Sequence, residues 1–151
     1  MTLIIGIDPG KSGGLALWQD KLGMTANRMP STEQDVYWIL KDAPGPTSYA
    51  YIEYVHSTPQ MGVRSAFTFG QGYGFLRGVL VACSIPFEEV RPQVWMSEFG
   101  MKKAKSESKT QWKHRLRQKA QQLFPHLEVT LATADALLLC EYGRRQRCKM
   151  N

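Results

Sequence analysis

Leu3 to Ile7 is an apolar, β-branched run closed by Asp8-Pro9-Gly10, and Gly13 to Trp18 is a second such run after a glycine-rich turn. A chain that opens this way commits to a β-hairpin, and therefore to a sheet, before any helix can form. Met24 to Met29 extends the pattern as a third strand. Ser31 then stands as the expected N-cap of a three-turn helix, with Glu33 in its first turn and Val36, Trp38, Ile39 and Leu40 as its apolar residues. Ala43-Pro44-Gly45-Pro46 breaks that helix. Tyr49 to Val55 follows as a strand of aromatic and β-branched residues with one acid, Glu53, in its middle.

From Met61 to Cys83 the apolar residues suggest a long helix, while Gly62, Gly70, Gly72, Gly74 and Gly78 argue for close backbone packing or a break near Gly70. Pro86 to Val90 is a short strand, and Pro92 to Phe99 a brief helix started by its proline. Gly100 to Ser108 is a basic loop. Thr110 to Phe124 is an amphipathic helix with Trp112, Leu116, Ala120 and Leu123 on one side. The last predicted helix covers Ala132 to Tyr142, with Gly143 as C-cap. Strand and helix alternating after a hairpin predict an α/β domain, a mixed five-stranded sheet flanked by helices.

At 151 residues the chain is one domain's worth. Apolar residues at 43% and charged residues at 21% are those of a globular protein. No apolar run approaches the roughly 20 residues that cross a bilayer, so no membrane role is expected. Met1 to Ile5 lacks a basic leader, and Cys83, Cys140 and Cys148 fit neither a zinc site nor a redox pair. Both observations predict a cytoplasmic protein with reduced thiols.

Nineteen Lys and Arg against thirteen Asp and Glu give a net charge of +6, and its distribution is uneven. Lys102, Lys103, Lys105, Lys109, Lys113, Arg115, Arg117 and Lys119 share their segment with a single acid, Glu107, and Arg144, Arg145, Arg147 and Lys149 follow near the end. A basic surface concentrated in this way suits a polyanion, because each phosphate neutralised releases counterions. For one such run alone, a solvated helix face explains it as well.

Gly10-Lys11-Ser12 imitates the end of a P-loop. Only three residues separate Gly6 from Gly10, however, and a strand rather than a helix comes next, so the motif fails. Asp8 in that turn would repel phosphate unless a divalent cation stood between them. Two further acids sit where an acid is awkward: Glu53 within Tyr-Ile-Glu-Tyr-Val and Asp135 within Thr-Ala-Asp-Ala-Leu-Leu-Leu. Singly, these are a turn residue, a sheet-edge acid and a helix N-terminal acid. Together, three carboxylates in apolar surroundings call for a shared counter-charge, which metal ions supply.

Five landmarks in order, Ile5-Gly6-Ile7-Asp8-Pro9-Gly10, Tyr51-Ile52-Glu53-Tyr54-Val55, Phe69-Gly70-Gln71-Gly72-Tyr73-Gly74, Val90-Arg91-Pro92-Gln93-Val94-Trp95 and Thr133-Ala134-Asp135-Ala136-Leu137, resemble those of RuvC-like Holliday junction resolvases. The short chain suggests a phage or prophage type. The resemblance implies a ribonuclease H-like fold over residues 1–143 with a basic tail at 144–151, a homodimer, and Mg²⁺-dependent symmetric nicking of four-way DNA junctions. It places Asp8, Glu53 and Asp135 as metal-binding acids, with two Mg²⁺ per site and Mn²⁺ as substitute.

Such ions would generate a hydroxide and stabilise the leaving 3'-oxygen. By the resemblance and by charge, Lys102, Lys103, Lys105 and Lys109 are expected to grip phosphates near the scissile bond, with Lys102 and Lys109 as the catalytic pair. Lys113, Arg115, Arg117 and the basic tail are expected to follow the DNA backbone. The glycine-rich helix is a candidate dimer interface, and Phe67, Phe69, Tyr73 or Phe75 a candidate for stacking on unpaired bases. Trp95 is expected as a core anchor, His56 as a solvated loop residue and Glu141 as a surface acid.

The sequence departs from the family at Ala132, where a fourth acid commonly stands one helical turn before Asp135. Three acids with water suffice, or Thr133 or another side chain compensates, or the site has been disabled. The competing functions are another ribonuclease H-like nuclease acting on RNA or branched DNA, a junction-binding protein without catalysis, and a fragment of the sugar-kinase and chaperone ATPase fold. The last lacks its second nucleotide-binding half at this length.

Overall fold

The computed structural model describes residues 2–44 and 47–150. Gly45 and Pro46, in the predicted break, lie outside the described residues, as do Met1 and Asn151. The chain runs β1 (Leu3–Asp8), β2 (Gly14–Gln19), β3 (Gly23–Arg28), α1 (Glu33–Leu40), β4 (Ser48–Glu53), α2 (Val63–Ala82), β5 (Phe87–Val90), α3 (Pro92–Glu98), α4 (Lys109–Leu123) and α5 (Ala134–Met150). One five-stranded sheet has the order β3-β2-β1-β4-β5. The first three strands form an antiparallel meander, and β4 and β5 add in parallel beside β1. This is the mixed five-stranded sheet flanked by helices that the sequence predicts.

Period-two alternation splits β1 between two cores. Leu3, Ile5 and Ile7 join Val36, Leu40, Leu76 and Leu80 from α1 and α2 on one face. Ile4 joins Trp95, Leu116 and Leu137 from α3, α4 and α5 on the other. Burying each large apolar side chain contributes about 1.5–3 kcal/mol, which is why β1 reads as a continuous apolar run rather than an alternating one.

Gly6 faces α5, and the absence of a side chain there lets the helix lie directly on the strand. A methyl at Gly6 would overlap the Ala136 carbonyl oxygen and stand 2.5 Å from the Cys140 nitrogen. The hairpin between β1 and β2 closes through Gly13 N–H donating to the Gly10 carbonyl at 3.0 Å, with Gly10 at φ +103°.

Several boundaries differ from the sequence expectation. Thr32, not Ser31, caps α1: its hydroxyl accepts from the Asp35 amide at 3.1 Å. Helix α2 is unbroken through Gly70, and methyl groups at Gly70, Gly72, Gly74 and Gly78 would enter open space, so these glycines mark no close approach within the chain. Its apolar residues Leu76, Val79 and Leu80 are buried, and that packing outweighs the glycine penalty.

Helix α4 begins at Lys109, where Ser108 and Gln111 form a reciprocal capping box. Gly143 is not a C-cap. It lies inside α5, where a side chain would collide with the Tyr51 ring. Residues 144–150, expected as a tail, continue that helix.

Candidate metal centre

Asp8 ends β1 and Glu53 ends β4, two parallel neighbours whose register pairs Ile7 with Ile52. Both acids therefore emerge at the carboxyl edge of the sheet. Asp135 lies in the first turn of α5, which Gly6 admits close to the same strands. One carboxylate oxygen from each of the three residues falls within 4.8 Å of the others.

Asp8 is held well above the usual carboxylate pKa, first by burial and then by the negative charges of Asp135 and Glu53. Glu53 is pushed up to about 7 by burial and next by Asp135. Asp135 is 3% exposed, and its Oδ1 is buried without a hydrogen-bond partner. Uncompensated buried acceptors are rare, and several carboxylates sharing one pocket repel each other. A hard divalent cation ligated by oxygens answers both conditions, so these residues fit such an ion.

Two side chains brace the acids. The Trp95 indole, fully buried, donates Nε1–H to Glu53 Oε2 at 3.0 Å. Lys113 Nζ donates to Asp135 Oδ2 at 2.6 Å. Trp95 is thus both core anchor and orienter of Glu53. Its signal was available, since a buried indole N–H requires an acceptor. Lys113, expected among the residues that follow the DNA backbone, makes this contact inside the centre. Lys113, Leu116 and Ala120 stand at i, i+3 and i+7, so the lysine continues the buried row of α4.

Trp95→Phe removes a hydrogen bond to a charged acceptor, worth about 1.5–3 kcal/mol. We expect its Mn²⁺ affinity, followed by calorimetry, to require a higher pH than wild type, because Glu53 loses the donor that favours its ionised form. An unchanged pH profile would show that the indole does not tune Glu53.

The other basic residues are distributed differently. Arg115 binds Glu107 at 2.9 Å, Arg117 donates to the Val129 carbonyl at 2.9 Å, and Lys103 to the Glu107 carbonyl at 2.7 Å. Arg144 and Arg145 bind Glu141, Arg147 stacks over Tyr49, and Lys149 meets Glu98. Glu141 is therefore no surface acid: it is 6% exposed. Burial pushes its pKa up, but hydrogen bonds from Arg144 and Arg145 outweigh that and hold it low.

Lys102, Lys105 and Lys109 are exposed, and among the described residues none of them pairs with the three acids. Ala132 offers no ligand, and Thr133 Oγ1 is occupied with the Thr130 amide at 3.0 Å. Beside Glu53 opens a cleft of about 650 Å³ lined by Tyr54, His56, Met61, Phe69 and Arg91. His56 is exposed there.

No protein-family model and no curated protein sequence matches the chain. Solved structures do. A Thermus thermophilus RuvC structure with Holliday junction substrate aligns with TM-score 0.63 at 12% identity, covering 96% of each chain. A second Thermus thermophilus RuvC structure gives TM-score 0.60 at 14% identity over 97% of each. The fold is that of the RuvC-like resolvases. A Fowlpox virus resolvase, in complex with Holliday junction DNA, aligns with TM-score 0.51 at 13% identity, covering 95% of this chain and 99% of that one. In the RuvC-like fold of this chain, the carboxyl ends of β1 and β4 and the start of α5 are thus brought to one place, where its acids converge.

Proposed function

We propose that the protein is a structure-selective DNA endonuclease that resolves four-way junctions by divalent-metal-dependent, symmetric phosphodiester hydrolysis. The observation that carries this reading is the convergence of Asp8, Glu53 and Asp135, with an orphaned Asp135 Oδ1, at the edge of a RuvC-like sheet. Asp8, Glu53 and Asp135 would hold Mg²⁺, or Mn²⁺ in its place. Such a cation lowers the pKa of water and offsets charge on a phosphate under attack.

The chain's own contribution is rigidity and charge. Strand ends β1 and β4 fix Asp8 and Glu53, the Trp95 indole orients Glu53, and α5 carries Asp135 in. The exposed ammonium groups of Lys102, Lys105 and Lys109, together with Lys103, Lys113, Arg115 and Arg117 on the same segment, would meet DNA phosphates. A four-way junction has two-fold symmetry, which a homodimer with two identical sites matches. Exposed Val63, Phe67 and Val81 on α2 offer apolar surface for that contact. Among the described residues no helix is long and apolar enough to cross a membrane. The reading places the protein with DNA in the cytoplasm of a bacterial or phage-infected cell.

The test is nicking of a synthetic four-way junction in Mg²⁺, beside duplex and RNA–DNA hybrid controls. We expect paired nicks in opposing strands of the junction alone. Preferred cleavage of the hybrid would instead make this a nuclease of another substrate class. The missing carboxylate at Ala132 favours a second reading, junction binding without cleavage. Binding with no nicking in Mg²⁺ or Mn²⁺, and nicking restored by Ala132→Asp, would establish it.

A further inference from the structure

The number of ions that this centre accepts follows from which carboxylate oxygens are already engaged. Glu53 gives Oε2 to the Trp95 indole at 3.0 Å. Asp135 gives Oδ2 to the Lys113 ammonium at 2.6 Å, while its Oδ1 has no partner. Each of these two acids has thus one oxygen committed to the protein and one left for a ligand. With Asp8, which has no side-chain hydrogen bond among the described residues, the centre presents one oxygen from each of two acids and one free carboxylate. That set would hold one divalent cation, which takes oxygen ligands and keeps water for the rest of its shell. A second ion close by could share the Asp8 carboxylate, but the other protein oxygens left to it already accept from Trp95 and Lys113, and Ala132 supplies no further carboxylate.

Charge gives the same count. Three carboxylates and one ammonium leave two negative charges, which one divalent cation neutralises. A second divalent cation would leave the centre strongly positive with Lys113 still inside it. The Asp135 side chain is 5% exposed, so it cannot turn to water for compensation, and the partly buried Lys113 side chain reaches it from α4. The positive charge of Lys113 also acts on Asp8 and Glu53. Among the described residues, no other ion pair involves any of the three acids.

We propose that each site takes one divalent ion on Asp8, Glu53 and Asp135, and that the Lys113 ammonium is the built-in second cation. This rests on the metal-nuclease reading and replaces its expectation of two ions. An ammonium carries three N–H donors, and Lys113 commits one of them to Asp135. The remaining donors are free to meet a phosphate oxygen beside the ion. As a compact point charge on a flexible stem, lysine suits a position that must serve both the empty and the DNA-bound site.

The experiment is Mn²⁺ electron paramagnetic resonance on the protein bound to a hydrolysis-resistant phosphorothioate four-way junction, with the spectrum of the junction alone subtracted. Isolated Mn²⁺ gives a six-line spectrum and a close pair gives a broadened, coupled one. We expect one uncoupled Mn²⁺ per chain in wild type and in Lys113→Arg. Lys113→Met should tighten the first ion about tenfold, as expected for removing one neighbouring like charge. It should also admit a second, seen as a coupled pair. Nicking of an ordinary junction by Lys113→Met should fall about 10²-fold.

A coupled pair in wild type, or a Lys113→Met protein with wild-type affinity and one ion, would overturn the assignment of Lys113. Asp8→Asn separates that failure from a deeper one. If Asp8→Asn loses Mn²⁺ while wild type shows a pair, only the role of Lys113 falls. If Asp8→Asn binds Mn²⁺ like wild type, or wild type binds none, the metal centre itself is wrong and the role of Lys113 falls with it.

Discussion

Asp8→Asn should abolish nicking and, in metal-free buffer at pH 8, raise the melting temperature. Burial, Asp135 and Glu53 all disfavour the charged form of Asp8, in that order. Asn keeps the shape of the side chain and removes the charge. A carboxyl whose folded pKa is raised contributes stability that is fully present below its unfolded pKa and is lost as pH rises through the folded value. For Glu53 that window runs from about 4.5 to about 7, and Asp8 loses its contribution in the same direction.

The metal-free wild type should therefore melt progressively lower as pH is raised from 5 to 8, and Asp8→Asn should flatten that slope. Relief on the order of 1–2 kcal/mol corresponds to roughly 3–6 °C in a chain of this size. Added Mn²⁺ should raise the melting temperature of wild type at pH 8 and leave that of Asp8→Asn nearly unchanged. Loss of nicking by about 10³-fold or more is expected of a group that acts as one unit with its neighbours. A variant that melts lower than wild type at pH 8 without metal would show that the three carboxylates do not repel one another, and the electrostatic case for a cation would fail.

The same electrostatic awkwardness made the acids legible before any coordinates. Asp8 after an apolar strand, Glu53 inside one and Asp135 at the head of an apolar helix each violate the pattern around them, and a sequence that breaks its own local rules does so most often at a site. The sheet was legible for the opposite reason, because its runs obey period and turn chemistry. What escaped was information held only in three dimensions.

Gly143 has the residue type of a cap, yet its lack of a side chain serves the Tyr51 ring across the sheet. The glycines of α2 count against a helix locally, but Leu76, Val79 and Leu80 bury one side of it. Lys113 carries the same charge as its neighbours on α4. Its place on the buried row of α4 sets it apart from Lys109, but its partner is seen only in the contact of its nitrogen with Asp135, across 22 positions of sequence. Arg115 and Arg117 carry their charge openly in the sequence, but that Glu107 and the Val129 carbonyl each engage one of them is seen only in the fold.

Gly6→Ala should unseat the metal centre without touching any of its ligands. The added methyl would overlap the carbonyl oxygen of Ala136 and come within 2.5 Å of the Cys140 nitrogen and 2.7 Å of its Cβ. Two of these atoms belong to the backbone of α5, so no side-chain rotation relieves the clash, and the helix must move away from β1. Asp135 precedes Ala136 on that helix, and its contact with Lys113 and its spacing from Asp8 and Glu53 depend on where the helix sits.

Overpacking of this kind costs about 1–3 kcal/mol, or roughly 3–10 °C here, and the shift in α5 should weaken Mn²⁺ binding at least as clearly as it lowers the melting temperature. Gly70→Ala is the matched control: a methyl there meets nothing within 4 Å on an unbroken helix, and it should stabilise by about 0.5–1 kcal/mol with Mn²⁺ binding unchanged. Calorimetry on the two variants compares an added methyl group at the seat of α5 with the same group in open space. Wild-type Mn²⁺ affinity in Gly6→Ala would mean that Asp135 reaches the ion without α5 held against β1, which is incompatible with a centre built from strand ends and a helix start locked together by that glycine.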